Sequence, residues 1–217
     1  PILASSRAAE GDGPTRTLID AVATVLFWAL VLTTLAGIVA APVLVWMMAS
    51  GLKAFDSAVV MTRVMFPYIG FMSLVALSAG ILNTWKRFAV PAATPVLLNL
   101  SMIAAAWLGA PWLKTQGVEP VYALGAGVML GGLLQLGVQI PALLRLGMLP
   151  RINLRLTGVR AAWDDPATRS IARLMLPALL GVSVAQISLL INTQIASHLQ
   201  SGSVSWLTYA DRLMEFP

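Results

Sequence analysis

Residues 21–48 read AVATVLFWALVLTTLAGIVAAPVLVWMM, a run with no charged side chain and with Thr33, Thr34 and Pro42 set among aliphatic and aromatic residues. A helix needs about 20 predominantly apolar residues to cross a hydrocarbon core about 30 Å thick. This run is long enough to do so. It lacks the alternation over about ten residues that marks a barrel strand.

Working outward, four more runs of this kind follow. They cover about 59–82 with Pro67, 90–113 with Pro95 and Asn99, 121–146 with Gln135, Gln139 and Pro141, and 171–199 with Pro177. A sixth begins at Ser203 and stops with the chain at Pro217. The fold class expected is an all-α polytopic membrane protein with five complete transmembrane helices and part of a sixth, all within one transmembrane domain spanning 1–217. Composition agrees. Hydrophobic residues make up 58% of the 217 and charged residues only 11%, where soluble domains carry roughly 25% charged residues. Membrane prolines often mark kinks at which a bundle bends.

The connections are short: ASGLKAFDS, NTWKRFAVP, KTQGVEP and HLQSGS. The exception is 147–170, basic and half apolar, which reads as an amphipathic connection on the membrane surface. Its DDPATRS is a helix start, with Asp164 or Asp165 as cap and Pro166 in the first turn. Ten basic residues fall on one set of alternating connections: Arg7, Arg16, Lys86, Arg87, Arg145, Arg151, Arg155, Arg160, Arg169 and Arg173. Lys53, Arg63 and Lys114 fall on the other. The positive-inside rule then puts residue 1 and the 147–170 connection in the cytoplasm and HLQSGS outside.

Several chemistries are disfavoured. There is no cysteine and a single histidine, His198, so thiolate chemistry and a histidine metal cluster are excluded. The net charge of +5 comes from residues flanking apolar runs, which is a topology signal and not a nucleic-acid patch. Asp164 and Asp165 are the only adjacent acidic pair, and capping explains them more simply than a magnesium–diphosphate site. No phosphate-binding glycine loop is present. The glycines of GAGVMLGG sit inside a span, where small residues let helices approach closely. With no initiator Met or signal peptide, and with its last residues inside an apparent helix, the chain reads as a segment of a longer protein.

Two polar groups remain inside spans. In the fifth, Ser183, Gln186, Thr193, Gln194 and Ser197 fall near one face, with Ser188 and Asn192 on a neighbouring one. Gln186, Asn192, Thr193 and Gln194 are candidates for a cavity wall; interhelical hydrogen bonding is the alternative. In the sixth, SVSWLTYADRLMEFP (203–217) holds Asp211, Arg212 and Glu215. Arg212 lies ten residues past Gly202, about 15 Å along a helix and near mid-membrane. A charge there costs at least about 2.5 kcal/mol on insertion scales. Ser205, Tyr209 and Arg212 share a face, as do Thr208, Arg212 and Glu215. One reading is a buried ion pair. The other is a hydrated anion site, because a guanidinium offers five donors in a fork matching phosphate oxygens, with Asp211 and Glu215 orienting it or coupling to a cation.

Phe66–Ile103 (FPYIGFMSLVALSAGILNTWKRFAVPAATPVLLNLSMI) and Gly181–Pro217 (GVSVAQISLLINTQIASHLQSGSVSWLTYADRLMEFP) closely resemble the MurJ (MviN) lipid II flippases, and LPRIN resembles them in between. The resemblance implies a helical bundle of the multidrug/oligosaccharidyl-lipid/polysaccharide exporter type, in which these spans are the third to seventh helices and the start of the eighth. It implies a transporter and not an enzyme. The substrate would be lipid II, the undecaprenyl-diphosphate-linked peptidoglycan precursor, moved between leaflets of the bacterial cytoplasmic (inner) membrane by alternating access. The family's cavity arginine falls on Arg212; Ser205, Asp211 and Glu215 match positions of the same motif. Further cavity arginines lie on helices absent from this chain. No cofactor is implied beyond a coupling cation or the membrane potential. The partners implied are lipid II and the bilayer, with cell-wall synthesis proteins as candidates and no nucleic acid. The alternatives are a polysaccharide-lipid or drug exporter of the same superfamily and a non-transporting membrane scaffold.

Overall fold

A computed structural model of the chain describes residues 2–200 and 202–214. Among these residues it is helical with no strand: α1 (Ile2–Glu10), α2 (Asp12–Ala49), α3 (Phe55–Met65), α4 (Tyr68–Thr84), α5 (Ala89–Ala104), α6 (Ala110–Thr115), α7 (Val121–Leu146), α8 (Leu156–Asp164), α9 (Pro166–Ser197) and α10 (Ser203–Met214). A π-turn, Ala105–Gly109, joins α5 to α6. Four stretches are long and apolar enough to cross a bilayer: Asp12–Ala49, Phe55–Thr84, Ala89–Thr115 and Val121–Leu146. A fifth qualifies as a bent pair, Pro166–Gly181 with Gln186–Ser197, at 41°. The chain is an all-α polytopic membrane protein.

The prolines act through the carbonyls they leave free. A proline cannot donate to the carbonyl four residues back, and lipid offers that carbonyl no substitute. Pro42 frees Ile38 O, which accepts from Arg63 Nε at 3.3 Å. Pro95 frees Pro91 O, which accepts from Thr94 Oγ1 at 2.8 Å. Pro67 coincides with a break, since α3 ends at Met65 and α4 begins at Tyr68. Pro111 stands in the first turn of α6, with Ala110 between it and the π-turn. The bend in α9 lies past Pro177, between Gly181 and Gln186. There Ser183 Oγ donates back to Leu179 O at 2.8 Å, a bond that favours bending.

The chain forms two compact units, Pro1–Leu35 with Val64–Ala172 and Ala36–Arg63 with Arg173–Pro217. In the first, α7 packs on α4 and α5 through its glycines. A Cβ on Gly127 would lie 2.5 Å from Ala105 Cβ, and one on Gly131 would lie 2.7 Å from Leu98 Cδ1. Gln135 Nε2 donates to Thr94 O at 3.1 Å, and Gln139 Nε2 to Val75 O at 3.4 Å. Below this seam Ile19, Ile81, Leu82, Leu143 and Met148 form an apolar core. Gly147, at φ +68, closes α7 in the left-handed conformation favourable to glycine. Of the two cap candidates Asp165 caps α9, accepting from Thr168 N at 2.9 Å. Asp164 instead pairs with Arg169.

In the second unit Ala41, Val45 and Val59 form a small core with Phe55 and Ala58. The end of α2 is tied to the end of α9 by side chains. This unit carries the candidate site.

Candidate functional site

On α10 one stripe, Val204, Leu207 and Asp211, is half-buried. The spacing of three and four residues makes it a single face. Ser205, Tyr209 and Arg212 lie on a roughly opposite face and are exposed, Tyr209 by 67%. Asp211 therefore sits a quarter-turn or so away from Arg212, on the packed side. Among the described residues Arg212 makes no ion pair or hydrogen bond. Glu215, the other candidate partner, lies outside the described residues. Ser205 also borders a cavity of about 230 Å³ between Gly51–Ala54 and Ala196–Val204, with Lys53 on its wall.

The polar stripe of α9 divides along its length. Toward the C-terminus it is consumed in packing. Gln194 Nε2 donates to Ser50 Oγ at 2.7 Å while Ser50 N donates to Gln194 Oε1 at 3.0 Å. Gly51 N donates to Ser197 Oγ at 3.2 Å, and Ser197 Oγ donates to Gln194 O at 2.7 Å. His198 Nε2 lies 3.0 Å from Ser50 Oγ. Any side chain at Gly51 would strike the Ser197 carbonyl. Gln194 thus anchors the end of α2. Half-buried Thr193 donates to Leu189 O at 2.8 Å. Gln186 and Asn192 are exposed and make no hydrogen bond among the described residues, so their amides are free to meet water or a ligand.

Sequence reasoning missed the Ser50–Gly51 anchor. Its one signal was the small pair Ser50–Gly51 directly after an apolar run. It also placed Arg63 at the start of the second span, about 59–82, and counted it among the connection charges. Arg63 lies eight residues into α3, about 12 Å from its start.

A model of the family described as "Lipid II flippase MurJ" matches residues 1–217. The chain belongs to the MurJ lipid II flippase family. It is 50% identical over 221 residues to a protein of Burkholderia cenocepacia named lipid II flippase MurJ, an alignment covering 100% of this chain and 42% of that one. Proteins named probable lipid II flippase MurJ are similar over 75% of the chain: one from Vibrio cholerae at 47% identity and one from Haemophilus influenzae at 45%, covering 29% and 30% of their lengths. This MurJ-family chain therefore spans less than half the length of these relatives. Family and apolar helices together make it part of a multi-pass bacterial membrane protein.

Proposed function

We propose that the protein carrying this chain is a lipid II flippase and that Arg212 binds the diphosphate of its substrate. The observation that carries this reading is the state of Arg212. It is an exposed guanidinium about 15 Å past the Gly202 turn, on the face of α10 that the chain's own packing leaves free, with no carboxylate paired to it among the described residues. A diphosphate carries charge that hydrocarbon does not accept. A guanidinium in a wet cavity replaces part of its hydration with paired, charge-assisted hydrogen bonds, while a polyprenyl tail stays in lipid. Ser205 and Tyr209 on the same face supply neutral donors, and Gln186 and Asn192 on α9 supply free amides for a cavity wall.

Movement between leaflets follows by alternating access, with the cavity opening first to the cytoplasmic and then to the outer side of the inner membrane. Asp211 orients or couples from the packed side of α10, a role it shares with Glu215. The empty carrier returns on a coupling cation or the membrane potential. Cell-wall synthesis proteins are the partners this role implies.

Complementation with the full-length protein tests the reading. Cells depleted of their own flippase receive Arg212→Ala or Arg212→Lys, with protein level checked in the membrane. Ala is expected to abolish growth and lipid II translocation. Lys restores them in part, because an ammonium keeps the charge but lacks the fork. Normal growth and translocation with both variants overturns the anion site and favours a scaffold.

A further inference from the structure

We propose that the 151–155 strap and the outward face of α8 form a docking surface for the anionic phospholipid headgroups of the leaflet it meets. This rests on the membrane-spanning fold and not on the lipid II reading.

The depth of the strap is set by α2. Asp20, Thr24 and Trp28 stand four residues apart on one face of that helix. Asp20 Oδ1 accepts from Arg151 N at 2.7 Å, Thr24 Oγ1 accepts from Asn153 N at 3.1 Å, and Trp28 Nε1 donates to Asn153 O at 3.2 Å. Asp20 to Trp28 spans about 12 Å of helix, and the uncharged run of α2 begins at Ala21. The strap is therefore held beside the first turns of a membrane span, at the boundary between headgroups and acyl chains. A tryptophan N–H at that level is typical of the interfacial belt.

What the strap shows to the outside fits that boundary. Leu154 is 67% exposed and Trp163 on α8 is 47% exposed. Gly158, Ala161 and Ala162 line a groove against the first turns of α2, and exposed Arg151, Leu154 and Arg155 border the same groove; Arg160 and Trp163 lie on the opposite face of α8. Arg151, Arg155 and Arg160 are exposed, and their side chains have no acidic partner among the described residues. The nearby carboxylates are engaged elsewhere: Asp20 with the strap backbone, Asp164 with Arg169, and Asp165 as the α9 cap. Apolar side chains that sink beside unpaired arginines are the composition of an interfacial element that binds negative headgroups.

The test places Leu154→Cys in the full-length protein, with any cysteine outside this chain replaced, labels it with bimane and reconstitutes it in phosphatidylcholine–phosphatidylglycerol vesicles. Brominated phosphatidylglycerol is expected to quench the label several-fold more strongly than brominated phosphatidylcholine at equal mole fraction. Each of Arg151→Gln, Arg155→Gln and Arg160→Gln should lower that preference by up to about fivefold, from the roughly 1 kcal/mol an interfacial basic residue contributes. Molar salt should bring it toward one. Equal quenching by both lipids overturns the proposal. So does quenching by aqueous iodide but by neither lipid. Loss of the preference on adding millimolar inorganic phosphate at constant ionic strength also overturns it, since the site would then be one for a free anion.

Discussion

Arg63 shows how a single residue can be placed by the defect it repairs. Its guanidinium donates to the Ile38 carbonyl, which is free because Pro42 has no N–H. An unsatisfied carbonyl facing lipid costs on the order of 1–3 kcal/mol. Arg63→Leu in the full-length protein is therefore expected to lower stability in detergent by about 1 kcal/mol. In a Pro42→Ala background, where an N–H returns to Ile38 O, the same substitution should cost distinctly less. Equal costs in both backgrounds, measured by thermal unfolding, rule the repair out. From the sequence Arg63 was one more flanking charge, because nothing in its local pattern records that Pro42 lies against it. The glycines were more legible. Small residues inside a span signal close packing, and Gly127 touches Ala105 and Ser101 while Gly137 faces open space. Gly127→Ala should destabilise by about 1–3 kcal/mol through overpacking. Gly137→Ala should be neutral or should gain up to about 1 kcal/mol of helix propensity. The same melting assay separates them, and equal effects would remove the packing argument.

At the scale of an element, α9 carries a polar stripe that the sequence shows clearly but does not interpret. Spacing puts Gln186 and Gln194 near one face, and both cavity wall and interhelical bonding fit that spacing. The choice depends on what stands opposite. For Gln194 it is Ser50, which is 144 residues away in the chain. No local pattern carries that information. Removing the anchor should loosen the junction without unfolding the unit. Gln194→Leu gives up two hydrogen bonds, each worth about 0.6 kcal/mol on average between membrane helices. Amide exchange is expected to rise several-fold at Ser50–Leu52 and to stay unchanged at the Ala41–Val45 core. Unchanged exchange at Ser50–Leu52 would mean that the backbone alone holds this end of α2. The π-turn before Pro111 is another feature local reading passed over. A proline within an apolar run announces a missing donor but does not say whether the helix will kink, bulge or carry on.

For the whole molecule, the bilayer explains why so much was readable. A span must be long, apolar and helical because lipid satisfies no backbone group, so length and composition alone delimit Val121–Leu146, whereas the first helix begins at Asp12, nine residues before the apolar run that starts at Ala21. The partners of each side chain are set by packing between helices far apart in sequence, and there the sequence was silent. Orientation stands between the two, since it is written in charge and not in packing. Ten basic residues flanking one set of connections against Lys53 and Lys114 on the other, with Arg63 set inside α3, predict that residue 1, Arg87 and the 151–160 segment face the cytoplasm. Single cysteines in the full-length protein read this directly. Arg87→Cys and Arg160→Cys should resist a membrane-impermeant maleimide added to intact spheroplasts and react once the membrane is opened. Gln116→Cys and Gln200→Cys, on the opposite connections, should react in both conditions. The reverse pattern would invert the topology and bring the 151–155 strap to the outer leaflet. Arg212 would then be approached from the cytoplasmic end of α10, and substrate entry and release along that helix would exchange places.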